Sequence, residues 1–461
     1  MRYHATSGVA LQAGNPPIFI TPEGGVIVTD ELLAELWTES RASTADEITG
    51  RFASHPDLGA ILVEAVACLA EAGLLERATP ARSSPSPVVH EGPLVSIVIV
   101  VSSIRELDFL GDCLQSIADS GYRPIELLLV DNDSKAVVDP LVRRHAVRAR
   151  IVRLAPRRCL AAACNAAIAE CDAPYALLMN PDVRLQRDAI ARMVRRAEAD
   201  SNVAAVVPKT LLWRTPSFLN AIGNRVPPAN WGTDNAIGQL DLGQFDDWRH
   251  SPSASLTIEL VVRRAWDVVG TFDESFPAYY EDADWAYRAR LMGWSIAAEP
   301  AAEAFHIFGG FWDAPPEGGL SSRKLETAVV GRLRFICRNA GSQTLRTLLR
   351  RYAWEDIQNV FVGLSRGDLR TARTYAAAWV SVAARAAALL ADRRRIQSAR
   401  VIDDDTLFPP EAAMPRSYTY RDSPLLTAAL VRDYYAPLIR QGRTRPLPER
   451  IREHPAVTTS R

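Results

Sequence analysis

The sequence is poor in lysine, although it is not poor in basic residues. Only three lysines (Lys135, Lys209 and Lys324) stand beside fifty arginines, a bias that we attribute to genome composition rather than to function. Basic and acidic residues nearly balance, with a formal net charge of −1 over 461 residues. The chain as a whole therefore lacks the excess of positive charge that is typical of proteins that bind nucleic acids.

Several motifs and segment types are also missing. The six cysteines contain no CxxC pair and no zinc-like Cys/His spacing, and no signal peptide is recognisable, so we expect reduced thiols and a cytoplasmic location. The longest apolar run, residues 375–391, has 17 residues and contains Arg385, which argues against a transmembrane helix. Neither GxGxxG nor GxxxxGK(S/T) occurs, which disfavours a classical dinucleotide enzyme or a P-loop NTPase.

Changes in composition divide the chain into segments. The length predicts roughly three domains, and a hydrophobic fraction of 48% excludes global disorder. We predict, in order, an acidic winged-helix-like module (1–78), a Pro/Ser-rich linker (79–93), an α/β domain (94–315), a basic helical region (316–403) and an irregular tail (404–461).

The first segment is predicted to contain a β-hairpin and three short helices. Ile18–Thr21 and Val26–Thr29 flank a Pro-Glu-Gly-Gly turn, and helices are expected to start near Thr29, Thr44 and Asp57. The pattern resembles a winged helix, and in particular the small peptide-chaperone modules of the pyrroloquinoline-quinone type. Four arginines against eleven acidic residues give a net charge of −7, which disfavours DNA binding. We prefer a structural cap or a docking module for a protein; the alternative is a module that binds a peptide acceptor.

The third segment alternates apolar runs with helical periodicity. Strands are predicted at Leu94–Val101, Ile125–Val130, Arg150–Leu154 and Tyr175–Met179. Continuous apolar runs are typical of parallel strands buried on both faces, so we predict a doubly wound sheet that binds ligands beyond the carboxyl ends of its strands. Two of these strands end near an acidic residue, at Asp131 and at Asp182. A turn cap explains one such residue, whereas two indicate a nucleotide and a metal.

Several ordered blocks of the sequence resemble the GT-A fold glycosyltransferases of family 2. The blocks are VSIVI (95–99), LVDNDS (129–134), LMNPD (178–182), VGTFDESF (269–276) and YYEDADW (279–285). The last two are similar to the GGFDE…YYEDxDL block of the rhamnosyltransferase-like branch, and Arg288, Gly293-Trp294 and His306 follow at matching positions. The resemblance covers about half of the chain. It implies a GT-A domain with a Rossmann-like mixed sheet, flanked by the small N-terminal module and a helical C-terminal region.

The resemblance also implies a divalent metal and a general base. Asp182 and His306 would bind Mg²⁺ or Mn²⁺, a hard cation that bridges to the diphosphate of the donor. Asp282 would remove the proton from the acceptor hydroxyl, with Glu281 beside it and Asp284 as the reserve candidate. Capping of a helix N-terminus is the alternative explanation for these acids, but three acids in four residues exceed that need.

A set of substrate-binding residues follows from the same resemblance. Asp131 would accept a hydrogen bond from N3–H of a uracil or thymine base, and Arg288 would orient the acids by an ion pair or contact the diphosphate. The remaining candidates are Asp133, Val100, Ser102, Asn165, Asn180 and Trp231. The chain departs from the family pattern in three places: glycines and a first Asn are missing before Asn165, Val100-Val101 replaces a Pro-Thr pair, and Asn180 replaces the first acid of the DxD-like motif. These departures leave the donor sugar open.

Two segments have alternative interpretations. Leu212–Ser255 is irregular and aromatic and corresponds to the acceptor region, where Trp231 either stacks on a sugar or fills the core. Ser322–Arg400 is predicted to form consecutive helices and holds sixteen basic and five acidic residues. Its charge (residues 323–400) either contacts an anionic membrane surface, as at the inner membrane face, or pairs internally, for example with the acidic first module. We favour the internal pairing.

The predicted function is an inverting, metal-dependent glycosyltransferase that uses a UDP- or dTDP-sugar and a hydroxyl acceptor on a glycan, a lipid-linked molecule or a peptide. The inversion is implied by the family. The alternative is a catalytically weak GT-A protein that binds a nucleotide sugar and recruits a partner. The presence of Asp182, Asp282 and His306 together favours the enzyme, since a binding protein has no need of that set.

Overall fold

The N-terminal residues contribute short strands. The structure, a computed structural model, describes residues 89–409 except 146–148, 214, 215, 217, 227–230, 240, 242–244, 277 and 308–321, together with 3–5, 10–12, 18–20, 26–28, 37, 75–77 and 414. The first strands are β1 (Tyr3–Ala5), β2 (Ala10–Gln12), β3 (Ile18–Ile20), β4 (Val26–Val28) and β5 (Leu75–Arg77). The antiparallel pairing of β3 with β4 confirms the predicted hairpin. The helices of the winged-helix-like module fall outside the described residues, so that module stays a prediction.

A mixed β-sheet forms the core of the α/β domain. The following strands are β6 (His90–Val101), β7 (Tyr122–Asn132), β8 (Ala149–Leu154), β9 (Tyr175–Met179), β10 (Val183–Leu185), β11 (Val203–Leu212), β12 (Leu219–Ala221), β13 (Asn224–Arg225), β14 (Thr233–Asp234), β15 (Ile258–Val262) and β16 (Ser295–His306). The strand order is β10-β16-β11-β15-β9-β6-β7-β8, with β12 paired to β11. Strands β6 to β9 run parallel, whereas β15 is antiparallel to β9 and to β11. The chain returns from β8 to the far side of β6, which creates the switch point where α/β sheets bind ligands.

Helices cover the faces of this sheet and continue beyond it. They are α1 (Leu107–Ala118), α2 (Asp139–Arg144), α3 (Leu160–Ala169), α4 (Ala189–Glu198), α5 (Arg263–Val269), α6 (Glu281–Leu291), α7 (Ser322–Asn339), α8 (Ser342–Ser365), α9 (Leu369–Ala384), α10 (Ala386–Ser398) and α11 (Asp404–Leu407). Helix α3 packs on β6 and β7, and α4 packs on β11 and β16, so the central strands are buried on both sides. The predicted α/β sheet and the helical C-terminal region are confirmed.

The C-terminal helices form a second apolar core against α6. Helix α7 contacts α6, α9 and α10, and the shared cluster includes Tyr280, Tyr287, Phe335 and Tyr352. Among the described residues, no single helix is long and apolar enough to span a membrane, and the pair α9 and α10, bent by 66°, meets the length and composition criterion only when taken together. The five described cysteines form no disulfide.

Candidate active site

Two of the predicted metal ligands face each other at one edge of the sheet. His306 is the last residue of β16, and its strand pairs with β10, which starts directly after Asp182. Asp182 Oδ1 lies 3.3 Å from His306 Nε2. Burial raises the pKa of Asp182, but the charge of the His306 ring when protonated and the hydrogen bonds to the carboxylate together outweigh this effect, so the pKa of Asp182 lies below its ordinary value.

Asn220 holds His306 in this orientation. Asn220 Oδ1, on β12, lies 2.6 Å from His306 Nδ1, which assigns a ring proton to Nδ1. In the neutral imidazole the lone pair of Nε2 then faces the Asp182 carboxylate, and the two repel unless a proton or a cation lies between them. This donor set therefore suits a divalent cation. Asn220 lies in a segment without a motif, so no pattern in the sequence indicated it.

The ends of β6 and β7 form the adjoining part of the same edge. Asp131 Oδ1 accepts hydrogen bonds from the backbone N–H (3.1 Å) and the hydroxyl (2.6 Å) of Ser134. The buried Asn132 donates to Ser102 Oγ (3.2 Å) and to the carbonyl of Arg158 (3.0 Å) and accepts from the N–H of Arg158 (2.9 Å). Asn132 thus joins both strand ends to the loop before α3. Its position inside the LVDNDS block could have identified Asn132, but the resemblance assigns a role only to the aspartates on either side of it.

Three further candidates also lie at strand ends. Val100 is buried near the end of β6. Asp133 follows β7 with a φ of 56°, and its ion pair with Lys135 lowers the pKa of its carboxyl. Asn180 follows β9, where its N–H donates to the carbonyl of Thr257 at 3.0 Å. The switch point therefore gathers the predicted donor-binding residues of β6, β7 and β9 along one edge.

The chain enters α6 through a strained turn. Tyr279 and Tyr280 have φ angles of 63° and 71°, a region that costs a non-glycine residue about 1–2 kcal/mol. Packing keeps Tyr280 there: its hydroxyl accepts a 2.9 Å hydrogen bond from the N–H of Gly232, and a Cβ at Gly331 of α7 would lie 2.7 Å from its ring. Helix α6 starts directly after this turn, so the turn sets the position of its first acidic residues, Glu281 and Asp282.

Asp282 is the half-buried acid in the first turn of α6. Its Oδ2 accepts hydrogen bonds from Asn224 Nδ2 (3.2 Å) and from the N–H of Leu256 (3.1 Å), and its Oδ1 accepts one from the next N–H of the helix (2.7 Å). Burial raises the pKa of Asp282, and these hydrogen bonds offset only part of that rise. Asn224 follows Asn220 by four residues, so one short segment contacts both Asp282 and His306.

Asp284 is fully buried in an ion-pair network. Its Oδ2 accepts from Arg288 Nε at 2.8 Å, and its Oδ1 accepts from Arg338 Nε at 2.8 Å and from Asn339 Nδ2 at 3.0 Å. Burial would raise the pKa of Asp284, but the two guanidinium groups hold it below its ordinary value. Arg288 also donates to two backbone carbonyls at 2.8 Å. The ion pair predicted for Arg288 is present, and its partner is Asp284.

Further carboxyl groups are buried near Asp282. Within the described residues, neither oxygen of Glu259 on β15 has a hydrogen-bond partner, and Oε2 of Glu281 has none. Burial, together with the charge of Asp282, raises the pKa of Glu281 to about 8 and that of Asp234 to about 7, and it raises the pKa of Glu259 well above its ordinary value. A single glutamate within an apolar strand carries no motif, so Glu259 was not identified from the sequence.

Glu259→Gln is expected to stabilise the protein at alkaline pH. Glu259 keeps its proton when folded, whereas the unfolded chain releases it above about pH 4.5. The free energy of unfolding therefore falls as pH rises above that value, by up to about 1.4 kcal/mol per pH unit for this group, until its folded pKa is reached. Urea unfolding should show little difference between variant and parent at pH 5 and a more stable variant at pH 8. The exposed Glu198→Gln is the control; an equal shift at both pH values would contradict a retained proton.

Two predicted substrate contacts are engaged within the protein. Asn165 donates from Nδ2 to the carbonyl of Phe272 and to Glu274 Oε1, and accepts from the N–H of Phe272, all at 3.0 Å. Trp231 lies beside the guanidinium of Arg332, with 4.1 Å from Cζ to the ring centroid. Asn165 therefore fixes the loop before the acidic turn, and one side of Trp231 is covered. Contacts of either side chain with a ligand stay predictions.

Asp234 lies between the Asp182–His306 pair and the acid of α6 in electrostatic terms. Asp234, on β14, interacts electrostatically with both Asp282 and His306. Across the part of the chain that the structure describes, no group of three or more His, Cys, Asp or Glu side chains is arranged to hold a metal ion. Two protein ligands with other positions left to a substrate is the usual arrangement for Mg²⁺ bound with phosphates.

Residues 98–215, about a quarter of the chain, match the Glycosyl transferase family 2 model, which confirms the resemblance for this part. The match contains Asp131 and Asp182, whereas Asp282 and His306 lie beyond it. No curated protein sequence matches significantly.

Three of the solved structures that match share 12–18% sequence identity with this chain. The mannosyltransferase PcManGT from Pyrobaculum calidifontis, in complex with GDP-Man and Mn²⁺, has a TM-score of 0.40 and 18% identity, over 81% of this chain and 99% of that one. GalNAc-T7 with UDP, GalNAc and Mn²⁺ has a TM-score of 0.39 and 13% identity, over 53% and 47% of the two chains. TarS from S. aureus has a TM-score of 0.39 and 12% identity, over 57% and 43%.

Proposed function

We propose that this protein is a metal-dependent glycosyltransferase that moves a sugar from a UDP- or dTDP-sugar to a hydroxyl acceptor with inversion. The premise is the family 2 match of residues 98–215. The observation that supports the proposal is that one short segment, from β12 to β13, contacts both the Asp182–His306 pair, through Asn220, and the half-buried Asp282, through Asn224. Sugar transfer to a hydroxyl requires a base that takes the hydroxyl proton and a group that stabilises the departing diphosphate, and a carboxylate beside a metal site supplies both.

The nucleotide is proposed to bind at the ends of β6 and β7. Ser134 holds Oδ1 of Asp131, which orients the carboxylate and directs Oδ2 to accept the N3–H of a uracil or thymine base. Asn132 keeps Ser102 and the loop before α3 in place around this carboxylate. A guanine base has a different hydrogen-bonding edge, and the test below therefore includes a GDP-sugar.

Asp182 and His306 are proposed to hold the divalent cation, with substrate oxygens as its remaining ligands. The ion, when bound, stabilises the negative charge that develops on the departing diphosphate. Asn220 keeps the Nδ1 proton of His306 in place, so that Nε2 stays available as a ligand.

Asp282 is proposed to be the general base. Three hydrogen-bond donors stabilise its ionised form, and yet burial leaves its pKa raised, which makes it more basic than an ordinary aspartate. It takes the proton from the acceptor hydroxyl as that oxygen attacks the anomeric carbon from the side opposite the diphosphate. Asp284 is fully engaged with two arginines, so the geometry favours Asp282 over the reserve candidate.

The test measures nucleoside diphosphate release from purified protein with Mn²⁺ or Mg²⁺ and a panel of UDP-, dTDP- and GDP-sugars. We expect release from one UDP- or dTDP-sugar, lost on chelation of the metal.

Asp182→Asn should lower the rate by roughly 100-fold or more, because a ligand of the ion is lost. Asn220→Ala should lower metal affinity or rate by about 10–100-fold, because it only orients His306.

Asp172→Asn is the matched control, since this exposed acid lies just before β9, whereas Asp182 lies after it. Anomeric proton NMR of the product decides between inversion and retention. Calorimetric binding of UDP or dTDP without any release, even with sugar and lipid acceptors added, would favour the binding protein over the enzyme. Transfer unaffected by Asp182→Asn would refute the proposed metal site.

A further inference from the structure

The hairpin formed by α8 and α9 exposes large apolar side chains. Four of them lie on α8: Trp354, Ile357, Phe361 and Leu364. The side chains of Trp354 and Phe361 are 63% and 66% accessible. At 3.6 residues per turn, these four positions fall within an arc of about 80°. They form one continuous apolar line along the helix, which we call the α8 stripe.

The stripe reaches the end of the hairpin. Residues 364–370 are exposed without interruption, and Leu369 at the start of α9 is 60% accessible. Gly367 has a φ of 72°, which lets the chain reverse in few residues. Apolar side chains therefore project from the turn as well as from the side of α8, a pattern that ordinary protein surfaces avoid.

The same hairpin is surrounded by exposed arginines. They are Arg346, Arg350, Arg351, Arg366, Arg370, Arg373. Helical periodicity places Arg346 and Arg350 on the side of α8 that carries the stripe. Helix α9 contains no acidic residue between Leu369 and Ala384. The apolar surface is thus bordered by positive charge on both helices.

The hairpin contains three acidic residues, each of which accepts hydrogen bonds within the protein. Asp356 is buried with Arg332 at 2.7 Å, and Glu355 pairs with Arg351 at 2.7 Å. Asp368 caps α9 by accepting hydrogen bonds from Thr371. Asp368 stays exposed and charged, but the six exposed arginines outnumber it and Glu355, so the net charge presented to a partner is positive and suits a partner that is both apolar and anionic.

We propose that the α8 stripe and the adjoining turn bind an anionic lipid bilayer. Aromatic and aliphatic side chains bordered by arginines suit the boundary between acyl chains and anionic headgroups, where the arginines reach the phosphates. A second copy of this chain fits less well, because two arginine-rich faces repel each other. The internal pairing favoured from the sequence holds for the buried Arg332, Arg334 and Arg338, whereas the arginines around the hairpin are exposed. This inference rests on the surface of the hairpin alone and does not depend on the proposed transferase activity.

The test is co-sedimentation of the full-length protein with vesicles of phosphatidylcholine alone or mixed with phosphatidylglycerol. We expect binding only to the mixed vesicles, and weaker binding at high salt, which screens the arginines. Phe361→Ser with Leu364→Ser should lower the partition coefficient roughly tenfold or more, because two apolar side chains no longer leave water. Arg366→Glu with Arg370→Glu should lower it to a similar or greater extent. Val268→Ser on α5, an equally exposed valine outside the hairpin, should have no effect.

Circular dichroism and thermal unfolding establish that each variant is folded, and sedimentation velocity without lipid reports the oligomeric state. Absence of wild-type binding to anionic vesicles would overturn the proposal, as would binding that both serine substitutions leave unchanged. Self-association that is lost in the Phe361→Ser and Leu364→Ser variant, with no vesicle binding, would assign the stripe to a second copy of the chain instead.

Discussion

Asp282→Asn is expected to lower the turnover number of sugar transfer by about 10²–10⁴-fold, the range for loss of a positioned general base. The amide cannot accept the hydroxyl proton, although it has the size of the carboxylate. Its cost in stability should be small. The amide nitrogen of the new side chain cannot accept the hydrogen bond that a carboxylate oxygen accepted. The substitution also removes a negative charge beside the buried Glu281 and Glu259, which offsets that loss.

Initial rates of product formation at saturating donor and acceptor measure this effect, and thermal unfolding of the same sample measures stability. The pH dependence of the turnover number, measured for parent and variant, gives a second readout. In the parent protein, the turnover number should rise with pH through the raised pKa of Asp282, since only the ionised form is a base. That rise should disappear in the variant. A variant with more than a tenth of the parent rate would exclude Asp282 as the base.

Asp284→Asn, only two residues further along α6, should have the opposite outcome. We expect a loss of about 3–5 kcal/mol in the free energy of unfolding, the range for removing one partner of a buried ion pair. The side chains of Arg288 and Arg338 are only 2% accessible, and the substitution removes the carboxylate that faces both. Since Arg338 belongs to α7, the variant also loosens the contact between the helical region and α6.

Urea unfolding at neutral pH measures the loss, and Asp282→Asn is the matched control because it makes the same chemical change in the same helical turn. Lowering the pH should reduce the difference between Asp284→Asn and the parent. The pKa of Asp284 lies below its ordinary value, so its contribution to stability is present above the unfolded pKa and declines as pH falls towards the folded one. A destabilisation as small as that of Asp282→Asn would show that the network contributes little.

Much of the α/β domain could be predicted because its signals are local. The apolar run of β9 matches its predicted bounds, and β6 and β7 were found although both are longer than predicted. Strand β6 starts at His90, whose N–H donates to the carbonyl of Gly121, a pairing that depends on a residue distant in sequence. Local patterns locate elements well and their ends less well, since tertiary hydrogen bonds extend them.

The site was predictable where residues stand in motifs and not where they act through space. Asp131, Asp182 and Asp282 were identified from their blocks, whereas Asn220, Asn224 and Glu259 were not. Asn220 and Asn224 matter because they contact His306 and Asp282, and Glu259 because it is buried near Asp282. The acidic triplet shows the same limit. Its spacing predicts a cluster of acids, but burial and the arginines of α7 determine which acid is a structural anchor.

The sequence by itself determined the mixed α/β domain, the strand ends that carry the acids and the helical C-terminal region, since periodicity, turn residues and motif spacing are properties of neighbouring residues. The tertiary structure alone decided three further points: that Asn220 meets His306, that Asp284 is buried against Arg338, and that α8 leaves an apolar stripe exposed. Each depends on residues far apart in the chain, or on what packs against a helix. The free energy of burial and of ion pairing is set only when those groups come together.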